Sequence, residues 1–101
     1  MTKNILPAVR SLLPPQARVM IADPVVSEVR SDGGWRRALC VGVRLSADQR
    51  GRPVWVSFYF DDADAPFGAS VCVGKVQRRF ADPRAAVRYA FDGGASGGAN
   101  G

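Results

Sequence analysis

The chain has no histidine and a single glutamate, Glu28. Without imidazole it lacks the one side chain that titrates unperturbed near neutral pH, and the commonest transition-metal ligand. Serine–histidine and cysteine–histidine nucleophilic pairs are therefore excluded. Cysteine is scarce as well. Only Cys40 and Cys72 are present, and their spacing fits no zinc-site pattern. No apolar run approaches the roughly 18 residues that suggest a membrane span. The opening MTKNILPAVRSLL is broken by Pro7 and Arg10 and does not read as a signal peptide. The expectation is a cytoplasmic protein with two reduced, largely buried thiols. Neither thiol has a neighbour in sequence that would activate it, so no catalytic residue is expected.

What is present is arginine. It supplies 12 of the 14 basic residues, and the formal net charge is +5. A basic protein meets polyanions readily, although net charge speaks to encounter and solubility rather than fold. GC-rich coding produces the same arginine excess, so charge alone chooses no partner. The chain's 101 residues suit one domain, and 47% hydrophobic content is enough to build a core.

Periodicity predicts a short helix over residues 4–13, with Ile5, Leu6, Val9, Leu12 and Leu13 on one face. Thr2 or Asn4 would cap it, Pro7 is tolerable only in its first turn, and Pro14-Pro15 would end it. Strands are predicted at 18–22, 25–30, 35–45, 53–60 and 69–80, separated by turn-forming segments. The clearest is Ser31-Asp32-Gly33-Gly34. A second helix follows Asp82 as N-cap and Pro83 at the first helical position, with Gly93 beyond its end. Its apolar face is Ala86, Val87, Ala90 and Phe91. The fold class is α+β: an antiparallel meander of four to five strands with the short N-terminal helix and the C-terminal helix packed on it. Residues 1–92 form one domain, and 93–101 a flexible glycine-rich tail.

Strand alternation divides the two longest strands into faces. Leu39, Val41, Val43, Leu45, Val54, Val56, Phe58 and Phe60 make the core face. The opposite face carries Arg36, Ala38, Cys40, Gly42 and Arg44 beside Trp55, Ser57 and Tyr59. If that face is open, its arginines bind phosphates and its aromatics stack on bases. If instead Ala38, Cys40 and Gly42 are small because a helix lies against them, Trp55 and Tyr59 belong to a core. The acids Asp61, Asp62 and Asp64 lack the pattern of a calcium loop and read as a solvated turn; no metal site or cofactor is expected.

Trp55-Val56-Ser57-Phe58 resembles the last four positions of an RNA-recognition-motif signature. Gly51-Arg52-Pro53-Val54 does not continue the match, and the βαββαβ order is absent. Residues 35–56 resemble the paired strands of apetala-type and integrase arm-type DNA-binding domains, in which a three-stranded sheet enters the major groove. Here an extra strand precedes the Asp82 helix.

Two functions of different classes remain, both non-enzymatic. The first is a nucleic-acid-binding module using Arg36, Arg37, Arg44, Arg52, Trp55 and Tyr59. The second is a protein-binding accessory or inhibitor of a mobile element, of the anti-CRISPR-like type that blocks a host or defence complex. That protein partner would meet the same arginines, the 61–64 loop or an edge strand. An exposed edge would also allow a homodimer.

Overall fold

Alternating large apolar residues fold here into one antiparallel sheet backed by two helices. The structure is a computed structural model and describes residues 5–15, 18–31, 33–45 and 52–91. In chain order the elements are α1 (Leu6–Ser11), β1 (Met20–Ile21), β2 (Val25–Ser31), β3 (Gly34–Leu45), β4 (Val54–Phe60), β5 (Pro66–Val73), β6 (Val76–Phe80) and α2 (Pro83–Phe91). The sheet order is β1-β3-β4-β5-β6, with β2 also pairing β3. β1 meets the far end of β3 at Arg44 and Val43, whereas β2 runs along its first half from Cys40 to Gly34. The two thus share one edge of β3. Asp23-Pro24 interrupts it, and Ala22 N–H still donates to the Gly42 carbonyl.

The expected architecture is present, with six strands. The extra strand comes from residues 69–80, which form a hairpin rather than one strand. Val73 pairs with Val76 across Gly74-Lys75. Gly74 takes φ +61° at the first central position of this two-residue turn, where primed hairpin turns favour glycine. The strand before it also starts earlier than expected: Pro66, Phe67 and Gly68 belong to β5, so the acidic loop is short.

Core and opposite faces follow the alternation. Val41, Val43, Val56, Phe58, Phe60, Ala69 and Val71 are buried on one side, together with Ile5, Val9, Leu12 and Leu13 from α1 and its flanks, and Ala86 and Val87 from α2. α1 is shorter than its sequence pattern suggested. Its N-cap is Ile5, with no side-chain cap, while Thr2 and Asn4 lie outside the described residues. Packing of Val9 into the core, rather than capping, holds this short helix, as helix nucleation alone is unfavourable. α2 starts as its sequence indicates: the Asp82 carboxylate accepts the Arg84 N–H at 3.0 Å, satisfying one of the helix's unpaired donors. Gly93, the tail 93–101 and most of the 46–52 loop lie outside the described residues. Among the described residues, no helix is long and apolar enough to cross a membrane.

Both helices pack on the core face. The small residues of the opposite face are therefore not small to admit a helix. Their reason is curvature. The sheet curls toward this face until its two edges come within side-chain reach: the Arg79 guanidinium on β6 donates to the Arg30 carbonyl on β2. The inside of such a curl has less room than the outside. Ala38, Gly68 and Ser70 are buried there although neither helix covers them. Gly42 lies under the Trp55 ring, and a Cβ at this position would stand 3.5 Å from Trp55 Cε3. A register shift adds bend. Tyr59 pairs with Gly68 but Phe60 pairs with Pro66, leaving Phe67 as an extra, bulged residue.

Candidate functional site

The curl forms a cavity of about 510 Å³ on the concave face. Its walls include Arg30, Arg36, Tyr59, Phe67, Arg79 and Phe80. Two guanidinium groups, from Arg36 on β3 and Arg79 on β6, thus meet the rings of Tyr59 on β4 and Phe67 on β5. Arg30 enters through its carbonyl, its side chain lying over Trp35, and the Phe80 ring packs on Tyr89 of α2.

Each group is held by a local cause. Arg36 projects from β3 with its guanidinium carbon 4.0 Å from the Phe67 ring centroid, close enough for a cation–π contact. Asp61 Oδ2 lies 3.6 Å from Arg36 Nη2. The same carboxylate shapes its loop, since Asp61 Oδ1 accepts the N–H groups of Ala63 and Ala65 at 2.9 and 3.0 Å. The acids therefore do form a turn, and one of them also positions an arginine. Asp64 closes this turn with φ +61°. Phe67 reaches the concave side because the bulge re-aims it, and its ring centroid lies 6.3 Å from that of Tyr59.

Tyr59 is buried, and its hydroxyl shares a 2.8 Å hydrogen bond with Ser70 Oγ. Gln77 Nε2 donates weakly to the same Ser70 oxygen at 3.4 Å. The floor of the cavity is thus polar at one point and internally satisfied. Arg79 bridges the seam through Arg30's carbonyl, which engages only part of its five-donor fork. Arg30 in turn lies over Trp35, 5.7 Å from its ring centroid, at the exposed hairpin end.

The six residues expected in one site are distributed over four places. Arg36 and Tyr59 share the cavity. Arg44 and Trp55 are cross-strand partners on the same face, about 13 Å from Tyr59 at four strand residues' rise. Arg44 is exposed and Trp55 half-buried. Arg37 points to the other face, opposite Glu28 on β2. Arg52 lines a separate hollow of about 110 Å³ with Val71, Val73, Val76, Arg78 and Tyr89. Alternation sends Arg37 away from Arg36, and the 53–60 strand begins only after Arg52.

Arg30, Phe67 and Arg79 were not expected in the site. Arg79 follows from the Gly74 turn: once the hairpin is recognised, its pairing with Ser70 sets its face. Phe67 depends on the bulge, and Arg30 joins by its backbone carbonyl through curvature, neither of which has a local sequence signal.

Both cysteines are free and half-buried. Burial pushes the Cys40 thiol above its ordinary value, which keeps it protonated and poorly nucleophilic at neutral pH. Cys72 Sγ lies 3.6 Å from the Gly74 carbonyl. Among the described residues, no group of three or more metal-ligating side chains is clustered. No protein-family model, curated protein or solved structure matches this chain.

Proposed function

We propose that the protein is a non-enzymatic module that binds nucleic acid through its concave face. The observation that carries this reading is the convergence of Arg36 and Arg79 with Tyr59 and Phe67 on one cavity. Arginine supplies charge and a planar fork for phosphate, and aromatic rings supply sequence-tolerant stacking. Arg44 and Trp55 extend the same chemistry along β3 and β4. Fluorescence anisotropy with labelled DNA and RNA at about 50 and 200 mM salt tests it. The expected result is binding at low salt that weakens steeply at the higher concentration. Absence of binding at the lower concentration removes the proposal.

A second reading, a protein-binding accessory or inhibitor, is favoured by a different observation. Met20, Val25 and Val26 are all more than half exposed along the β1–β2 edge. The opposite edge, β6, carries Arg78 and Arg79, charges that discourage strand addition. Under this reading a partner strand, or a second copy of the chain, pairs with β2. Sedimentation velocity then finds a dimer that Val26→Lys dissolves, or a pull-down finds a partner retained in high salt. A monomer at every concentration, with no salt-resistant partner, rules it out.

A further inference from the structure

We infer that the cavity accepts one unpaired nucleotide, so that the ligand is single-stranded nucleic acid rather than a duplex. This rests on the nucleic-acid reading above and narrows it.

Shape comes first. A duplex keeps its bases stacked inside a convex cylinder, and proteins read it by inserting a helix or a two-stranded ribbon into a groove about 12 Å wide. Here the chemistry-bearing residues line a hollow. Tyr59 is only 9% exposed at its floor, and Phe67 stands half-buried in the wall. A base edge inside an intact duplex cannot reach the Phe67 ring. An unpaired base can, because it swings away from its backbone. The volume of about 510 Å³ falls within the range of small-ligand sites, about 300–1,000 Å³.

The arrangement of groups comes second. The Arg36 guanidinium already lies over the Phe67 ring, and Phe67 stands tilted beside Tyr59. Asp61 holds Arg36 from the side. This seats a guanidinium on the Phe67 ring before any ligand arrives, with the Arg36 side chain 45% exposed. Bases stack on arginine planes as they do on aromatic rings. Arg79, tied across the seam to the Arg30 carbonyl, supplies charge for the phosphate of the same nucleotide. Because the Arg36–Phe67 contact and the seam exist before binding, little ordering cost remains for the ligand to meet.

The test uses anisotropy with labelled single strands of about a dozen nucleotides, in DNA and RNA, against a blunt duplex of the same length at about 50 mM salt. The single strand is expected to bind about tenfold or more tighter than the duplex. Arg36→Lys keeps the charge but loses the planar stacking surface, and Phe67→Ala removes the ring beneath it. Each is expected to weaken single-strand binding about tenfold and leave duplex binding unchanged, with circular dichroism confirming that both variants fold. Equal or tighter duplex binding overturns the inference while leaving nucleic-acid binding in place. So does full single-strand affinity in Arg36→Lys. An acidic peptide competing as well as the single strand overturns it too, because charge without bases would then suffice. Failure of every nucleic acid to bind removes the broader proposal itself.

Discussion

Reversing charge at Arg36 and Arg79 together is expected to reduce nucleic-acid affinity by about 100-fold or more at low salt, with a shallower salt dependence. Each phosphate contact removed lowers the slope of log affinity against log salt by about one. Glutamate at position 36 would also face Asp61, whose carboxylate now lies 3.6 Å from the guanidinium. At position 79 the substitution removes the donor to the Arg30 carbonyl, so the seam loses its clasp as well as its charge. The control is Arg37→Glu combined with Arg88→Glu. It changes net charge equally, but Arg37 belongs to the opposite face, across from Glu28, and Arg88 is exposed on α2. That control is expected to cost only the modest amount due to long-range charge. If it weakens binding as much as Arg36→Glu/Arg79→Glu, the cavity is not the site and only overall charge matters. Melting temperatures of both double variants guard against simple unfolding.

The largest expected effect on stability is Phe58→Ala. Phe58 is fully buried, between Val41 and Ala69 on the neighbouring strands and 6.4 Å from the Phe60 ring. Truncating a buried phenylalanine costs about 3–5 kcal/mol. A domain of this size has about 5–15 kcal/mol in total, so the variant should melt about 15 °C lower or more. The next residue provides the contrast. Tyr59→Phe removes one hydroxyl on the other face and leaves Ser70 without that 2.8 Å partner. Its cost is expected to be about 1 kcal/mol. Urea denaturation measures both. Comparable losses at 58 and 59 would contradict the division of β4 into a core face and a cavity face.

That division was legible in the chain. The run VWVSFYF alternates, and each of Val54, Val56, Phe58 and Phe60 falls on the buried side. A pleated strand sends successive side chains to opposite faces, so no knowledge of the neighbouring strands was needed. The same holds for α2, where Asp82 and Pro83 sit at positions that demand their backbone properties, and Asp82 caps as its side chain allows. The separation of Arg37 from Arg36 follows from the same alternation.

The hairpin within residues 69–80 was legible in principle, because Gly74 is the one residue there suited to φ +61°. A glycine inside an apolar strand pattern also suggests a bulge or close backbone approach, and only pairing of Val73 with Val76 distinguishes these outcomes. The candidate site was legible only in part. Arg36 and Tyr59 fall on one face as alternation predicts, while Phe67 and Arg79 join them from distant positions.

The sequence by itself determined the local features: which side of β3 and β4 is buried, and where α2 begins. Those depend on propensity, alternation and capping, which act between near neighbours. Only the tertiary structure decided that the sheet curls, that Phe67 bulges toward Tyr59, and that β2 and β6 meet through Arg79 and the Arg30 carbonyl. Curvature sums the twist of every strand with the volumes packed on both faces. Residues 30 and 79 are brought together by that sum, and neither carries a local sign of the other.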